Sequence, residues 1–170
     1  LLHPSHPIRA TVLAGVTDWP RILNADSFFL RDGLDEKADR VALRLDNRDV
    51  TYAEVDLLAS GYAAMLLDLG VSKGDRVLVL LDDGIDYPAV IFGIMRIGAV
   101  VVMLNPGLNP AAMAGIAALA EPGAVVAASK YVDGFRDAVG DATPPLLEVG
   151  EGFVPPKTDV PTQATGPEDP

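Results

Sequence analysis

The sequence predicts an α/β fold in which a mostly parallel sheet is flanked by helices and preceded by a β-hairpin. Strand-like and helix-like segments alternate with short turns from about residue 76 to residue 128. This alternation is typical of parallel strands joined by right-handed crossovers. The strand-like segments "RVLVLL", "AVVVML" and "AVVAAS" are continuous apolar runs, which indicates strands buried on both faces.

The first half of the chain contains the predicted hairpin. Residues 1–23 carry His-Pro, His-Pro and Trp-Pro steps and are predicted to form an extended leader. Asn24 or Asp26 then caps a short amphipathic helix that carries Phe28 and Phe29. The runs "VALRL" and "DVTY" on either side of "DNR" predict two antiparallel strands around a tight turn.

The helices that follow have recognisable ends. Thr51 and Glu54 of "TYAE" form a capping box before an apolar helical face, and Gly70 ends that helix. Asp86 is predicted to cap a second helix, with Pro88 in its first turn.

The third predicted helix has Asn109 as its cap and Pro110 at its first position. A further helix over about 131–139 and a last strand "PLLEVG" complete an α/β subdomain at 24–154. Residues 155–170 carry five prolines and lack apolar periodicity, so they are predicted to be a linker or disordered tail.

Composition and charge exclude several classes of function. The net charge of −11 disfavours nucleic acid and anionic membrane surfaces as partners. The chain has no cysteine, which excludes disulfides and zinc-thiolate sites and fits a cytoplasmic protein. The two histidines, His3 and His6, lie in the leader, so no metal site or catalytic triad is predicted. No apolar run reaches the roughly 20 residues of a membrane span.

The acids after the first buried strand are the first candidates for chemistry. In "LLDDGID", Asp82 and Asp83 follow the strand, but the spacing differs from the D-x-D-G of haloacid-dehalogenase-type phosphatases. Receiver domains need a further acid and a lysine, whereas "VVMLNP" ends in Asn105, and Lys130 is the only late candidate for the lysine. The sequence therefore favours turn formation for both acids over an aspartate nucleophile. Glycine-rich phosphate loops and G-x-S-x-G elbows are also absent from the sequence.

The ordered motifs resemble a known family. "DRVAL", "TYAEVD", "LGVSKGDRVLVLL" and "RIGAVVVMLNP" follow one another with the spacings found at the amino-terminal end of adenylate-forming (AMP-binding) enzymes. That superfamily includes acyl- and aryl-CoA synthetases, luciferases and peptide-synthetase adenylation domains. "LNADSFF" and "LLDDGIDYP" look most like the benzoate-CoA ligase group. The resemblance runs from about residue 24 to residue 129.

The resemblance implies a two-step ligase reaction. A small carboxylic acid attacks the α-phosphorus of ATP, with Mg²⁺ neutralising charge, to give an acyl-adenylate and pyrophosphate. Coenzyme A then displaces AMP. The phosphate loop and the later family motifs are expected beyond Pro170, so no catalytic, cofactor-binding or metal-binding residue is carried over. Asn105, at the start of "LNPGLNP", is the one substrate-binding candidate, although a helix-entry turn is the simpler interpretation of that loop.

Three functional hypotheses remain open from the sequence. The first is an amino-terminal fragment of an acyl- or aryl-CoA ligase, inactive alone and completed by the remainder of the adenylation domain. The second is a stand-alone binding or scaffold domain derived from that family, and the third is an aspartate-dependent phosphotransfer domain. An isolated subdomain would expose apolar surface, so self-association is also expected. The acid substrate cannot be read from these residues.

Overall fold

A computed structural model describes residues 24–45, 48–166 and 169, so the predicted leader at 1–23 lies outside the described residues. The strands β1 to β6 are Val41–Leu45, Arg48–Thr51, Arg76–Leu80, Val100–Met103, Ala124–Ala128 and Leu146–Val149. The helices α1 to α5 are Leu34–Lys37, Tyr52–Asp68, Asp86–Arg96, Pro110–Ala120 and Ser129–Val139. A π-helical turn, Ser27–Arg31, precedes α1, and a 3₁₀ turn, Gly140–Ala142, follows α5.

The strands form two separate sheets. β1 and β2 pair in an antiparallel hairpin, and the other four form a parallel sheet in the order β4-β3-β5-β6. The predicted fold class, a mostly parallel sheet flanked by helices and preceded by a hairpin, is therefore confirmed.

The parallel sheet is covered on both faces. Successive strand residues point to opposite faces, so Val77 and Val79 pack in one core with residues of α2 and α3. Leu78 and Leu80 pack in the other core with residues of α4 and α5. The continuous apolar sequence of β3 is explained by this burial on two sides.

Of the helix caps predicted at Thr51, Asp86 and Asn109, two are observed. Thr51 Oγ1 accepts from the Glu54 amide at 3.2 Å, and Glu54 Oε2 accepts from the Thr51 amide at 2.8 Å, which completes the capping box of α2. Asn109 Oδ1 accepts from the Ala112 amide at 2.9 Å and caps α4. The prediction for Asp86 is wrong: this residue is the first of α3, and its carboxylate accepts from the Tyr62 hydroxyl at 2.6 Å instead.

Helices α2 and α3 are in close contact because one residue at their crossing has no side chain. A Cβ atom added to Gly93 of α3 would lie 2.8 Å from the carbonyl oxygen of Ala59 in α2. That distance is shorter than real Cβ contacts, so the backbones can approach this closely only with glycine at position 93. The contact fixes the spacing of the helix layer on this face of the sheet.

Residues 155–166, called the strap below, lie across α2 and α3 without helix or strand of their own. A Cβ atom on Gly61 of α2 would meet the carbonyl oxygen of Pro156 at 2.5 Å, so the strap lies directly on that helix. Three hydrogen bonds of 2.6 Å hold the strap, from Val160 N to Ser60 Oγ, from Thr162 Oγ1 to Asp26 Oδ2 and from Gln163 N to the Arg96 carbonyl oxygen. The proline-rich composition indicates irregular backbone, but it did not indicate these attachments.

A buried ion cluster lies beneath the strap. Arg96, the last residue of α3, donates to both carboxylate oxygens of Asp26 at 2.8 and 3.0 Å and to Asp56 Oδ1 at 2.6 Å. The side chains of Arg96 and Asp26 are 0% exposed. Burial, the largest influence, lowers the pKa of Arg96, but the two carboxylates outweigh it and the net direction is upward. The guanidinium therefore stays charged within the protein.

None of the helices in the described part of the chain combines the length and apolar character needed to cross a membrane.

Replacing Arg96 should be strongly destabilising. In Arg96→Met, the Asp26 carboxylate would stay buried without its cation, and breaking a buried pair in this way costs about 3–5 kcal/mol. Urea unfolding followed by circular dichroism measures the loss. The control is Arg44→Met, which removes the exposed pair with Asp49 and should cost at most about 1 kcal/mol. Equal losses in the two variants would contradict a structural role for the cluster.

Candidate functional site

The candidate side chains lie at the carboxyl edge of the parallel sheet. Asp82 follows β3, Asn105 follows β4, and Lys130 follows β5. The chain passes from β3 to β4 on one side and then crosses back to β5 on the other side of β3. Ligands of open parallel sheets bind where the strand order reverses in this way. Asp82 therefore stands at the position where this fold class places its binding sites.

Asp82 connects two elements of the sheet. Its Oδ2 lies 2.8 Å from Lys130 Nζ, and its Oδ1 accepts from the Tyr131 hydroxyl at 2.6 Å. The Lys130 ammonium is also 4.8 Å from the centre of the Tyr131 ring. The expected turn-forming role of Asp82 is thus replaced by a link from β3 to the start of α5. Because β3 and β5 are neighbours, the fold brings together residues that are 48 positions apart in the sequence.

The Asp82 link changes the ionisation of both partners. Hydrogen bonds from Lys130 and then Tyr131 lower the pKa of Asp82, and the bond to Asp82 raises the pKa of Lys130. The Asp82 carboxylate and Lys130 ammonium are therefore both charged at neutral pH. A protonated lysine is not a nucleophile, so this pair binds or orients charge and does not supply a reactive amine.

Asp86 faces the core side of the same loop. Its carboxylate accepts from Tyr62, whose ring stacks on Phe153 at a centroid distance of 5.9 Å. Burial, followed by the hydrogen bond and the charge of Asp86, raises the pKa of Tyr62 above its ordinary range. The tyrosine is thus a hydrogen-bond donor at all physiological pH values, and Asp86 has a structural role.

Two clefts open at this edge, one on each side of Asp82. The cleft between β3, β5 and β6 has a volume of about 460 Å³, and that between β3 and β4 has a volume of about 510 Å³. Acidic residues of the first cleft are Asp82, Asp83, Asp86 and Glu151, and its one cation is Lys130. The edge therefore carries a surplus of negative charge, which opposes the entry of polyphosphates.

Asn105 lines the second cleft together with Met103. Its Oδ1 accepts from the Gly107 amide at 2.8 Å, so the side chain shapes the loop that enters α4. The residue is exposed, and its side-chain NH₂ group has two donors available for a ligand in addition to this acceptor role. Asn105 and Lys130 thus lie at the same edge of the sheet as Asp82, but on opposite sides of β3.

Comparisons with known proteins give a consistent result. The profile described as "AMP-binding enzyme" matches residues 30–166. The chain is 42% identical over 81 residues to a 3-hydroxybenzoate–CoA/4-hydroxybenzoate–CoA ligase of Thauera aromatica, covering 48% of this chain and 15% of that protein. It is 36% identical over 126 residues to 4-coumarate–CoA ligase-like 9 of Oryza sativa subsp. japonica, covering 72% of this chain and 22% of that protein.

A solved structure shares the fold. The benzoate CoA ligase from Burkholderia xenovorans LB400 superposes with a TM-score of 0.74 at 24% identity, covering 86% of this chain and 31% of that chain. The curated relatives are much longer than this chain, which spans between 15% and 22% of the two named above. The compared region is therefore a part of those proteins.

The Asp82 link can be tested by titration. In Lys130→Met, the pKa of Asp82 should rise towards the usual 3.8, as followed by the carboxyl carbon chemical shift in NMR spectra. Because the pKa is lowered in the folded protein, the link stabilises the fold above pH 3.8 and is lost as the pH falls through the lowered value.

Glu54 is the internal control for this titration. Its pKa is lowered chiefly by the backbone hydrogen bond at Thr51, so Lys130→Met should leave it unchanged. An Asp82 pKa that does not move would show that the link to Lys130 does not form in solution.

Proposed function

The chain belongs to the family of AMP-binding enzymes, and from this premise we propose that it is the amino-terminal part of an ATP-dependent acyl- or aryl-CoA ligase. The observation that carries the proposal is the family match over residues 30–166. Relatives named for hydroxybenzoate and coumarate support a small aromatic carboxylic acid as the substrate class. The proposed activity is that of the complete ligase, since this chain spans only a minor part of such proteins.

We assign the binding of ATP, Mg²⁺ and coenzyme A to the remainder of the adenylation domain. Within the described ranges no cluster of three or more His, Asp or Glu side chains is arranged to hold a metal ion. The cleft of about 460 Å³ is acidic, and its one cation, Lys130, is already paired with Asp82. Nucleotide and metal chemistry is therefore assigned to no residue of this chain, and the cationic groups that bind phosphates are expected in the remainder of the adenylation domain.

The contribution of this chain to the proposed ligase is a wall of the substrate site. The carboxyl edge of the sheet offers a cleft of about 510 Å³ beside Asn105, which is within the size range of small-molecule sites. Asn105 can donate a hydrogen bond from its amide to an oxygen of the acid. We therefore propose that Asn105 binds the substrate in the complete enzyme.

The proposal is tested by assaying pyrophosphate release. The 170-residue chain and the protein encoded by the gene read past residue 170 are each mixed with ATP, Mg²⁺, coenzyme A and a panel of aryl and aliphatic carboxylates. We expect release from the longer protein with an aryl acid and none from the 170-residue chain. Pyrophosphate release from the 170-residue chain would contradict the assignment of the chemistry to later residues.

A gene that ends at residue 170 would contradict the ligase proposal and favour the stand-alone scaffold domain. A longer protein that releases no pyrophosphate with any acid on the panel, yet still unfolds cooperatively, would also contradict it.

Asn105 is tested in the longer protein. Asn105→Ala should raise KM for the carboxylic acid about fivefold, the effect of losing a hydrogen bond worth about 1 kcal/mol, with KM for ATP unchanged. The matched control is Asn109→Ala, which removes the cap of α4 from the same loop and should lower stability by about 1 kcal/mol without changing either KM. If both variants change KM for the acid alike, Asn105 acts only through loop structure.

A further inference from the structure

A further cleft, called the hairpin cleft below, opens between the β-hairpin and the helices, with a volume of about 250 Å³. Its walls come from the π-helical turn, from β1 and from the early turns of α2 and α3. Among the described residues, it shares no lining residue with either cleft at the carboxyl edge of the sheet. The hairpin cleft is therefore separate from the candidate substrate site.

The helical walls of the hairpin cleft follow from residue spacing. Tyr52 and Val55 of α2 are three positions apart, and Pro88 and Phe92 of α3 are four positions apart. Side chains at these spacings lie on one face of a helix, so each helix presents two neighbouring side chains to the cleft. Tyr52 is the first residue of α2, a position that the capping box at Thr51 fixes.

The third wall is an irregular part of β1. The pairing of β1 with β2 shifts register between Val41 and Leu43, and such an irregularity redirects side chains. Ala42 and Leu43 both line the cleft, whereas adjacent residues of a regular strand point to opposite faces. The irregularity thus adds a second apolar side chain to this wall.

The mouth of the hairpin cleft carries exposed aromatic rings. Phe29 lines the cleft and is 62% exposed, and its ring meets the Phe28 ring edge to face at a centroid distance of 4.9 Å. Phe28 is itself 54% exposed. Contiguous exposed apolar surface beside a concavity marks a binding site.

A lysine ammonium stands at the rim of the cleft. Lys37 Nζ donates to the carbonyl oxygens of Phe29 at 3.2 Å and Asp32 at 2.8 Å, and it lies 5.1 Å from the centre of the Tyr52 ring. Phe29 and Tyr52 both line the cleft, so the ammonium is next to two of its walls. The carbonyl oxygens and the ring face hold the cation in place.

The Lys37 charge has no carboxylate partner in the described part of the chain, where none of the ion pairs includes it. The two carbonyl oxygens use two of its three N–H donors, which leaves one donor for an anion. Lys130 also lies over a tyrosine ring, but its charge is paired with Asp82. The hairpin cleft thus combines apolar walls with a positive charge at its rim, and this combination fits an anionic group on an apolar body.

The lining indicates which apolar body fits. Phe29, Tyr52 and Phe92 supply three aromatic rings, which favour a flat aromatic ligand through edge and stacking contacts. An apolar cavity of about 150 Å³ is enough to hold benzene, so a cleft of about 250 Å³ accommodates one ring with a small substituent. Sites for drug-sized ligands measure roughly 300–1,000 Å³, so a nucleotide or a long acyl chain is disfavoured here.

We propose that the hairpin cleft is a second binding site, which takes a small aromatic monocarboxylate with its ring among Phe29, Tyr52 and Phe92 and its carboxylate on Lys37 Nζ. The ligand class follows from the lining and from Lys37, and it coincides with the class of acid proposed as the substrate of the complete ligase. Because the cleft is separate from the one beside Asn105, this inference does not depend on the ligase proposal.

Benzoate is the probe, titrated into the 170-residue chain and followed by NMR spectroscopy. Saturable shifts are expected at Lys37, Leu43 and Phe92, with intermolecular NOEs from the benzoate ring protons to Phe92. Benzamide has the same ring without the charge. It should bind at least about tenfold more weakly, because the hydrogen bond from the ammonium is then no longer made to a charged group.

Substitutions separate the contribution of the charge from that of the ring. Lys37→Met should weaken benzoate binding at least about tenfold and leave benzamide binding unchanged, whereas Lys37→Arg, which keeps the charge, should retain most of the benzoate affinity. Phe92→Leu should weaken both ligands by about twofold to tenfold through the lost ring contacts. The matched control is Lys157→Met, which removes an exposed lysine of the strap and should change neither affinity. Circular dichroism checks that each variant is folded.

Three results would overturn the second site. Equal affinities for benzoate and benzamide, or a benzoate affinity that Lys37→Met leaves unchanged, would remove the role of the charge. Shifts at Met103 and Asn105 in place of Leu43 and Phe92 would put the acid in the cleft at the carboxyl edge instead. Shifts at Phe92 that follow protein concentration and not benzoate would show that a second copy of the chain fills the cleft. The measurements do not involve pyrophosphate release, so each of these results leaves the ligase proposal intact.

Discussion

The attachment of the helix layer to the rest of the chain depends on one buried cation. Arg96 ends α3 with its side chain fully buried, and a charged group in that position costs several kcal/mol unless it is paired. Asp26 and Asp56 supply the pairing, and they lie on the opening turn and on α2. Because the buried guanidinium must be paired, it holds the opening turn, α2 and α3 together. Hydrophobic packing alone would not orient these three segments so specifically.

The same cluster also sets the route of the chain after the last strand. Asp26 uses a carboxylate oxygen to accept from Thr162, and the Arg96 carbonyl oxygen accepts from Gln163. The strap is thus held where a proline-rich sequence without helix or strand would otherwise have few backbone partners. These contacts lie just before β4, so the buried ion cluster also fixes where residues 162–163 lie beside the sheet.

Features encoded by neighbouring residues were predictable from the sequence. The capping box of Thr51 and Glu54 and the apolar run of β3 depend on spacings of a few residues, and the structure has both. The ion pairs of Arg96 and Asp82 join residues 70 and 48 positions apart, so no local pattern reveals them. Knowledge of the strand order would have paired Asp82 with Lys130, because both follow neighbouring strands. Asp86 was wrongly predicted to be a helix cap because its actual partner, the Tyr62 hydroxyl, comes from another helix and is set by the tertiary fold.

The candidate site is acidic, which agrees with the proposal that it is only one part of a ligase site. The clefts at the carboxyl edge hold more acids than cations, and Lys130 is already paired. An acyl-adenylate reaction concentrates negative charge from a carboxylate and a triphosphate, and such charge is stabilised by cations or by oriented amide groups. Among the described residues that line the acidic cleft, cations are not in excess. Under the ligase proposal, the groups that stabilise the transition state therefore come from another part of the complete protein.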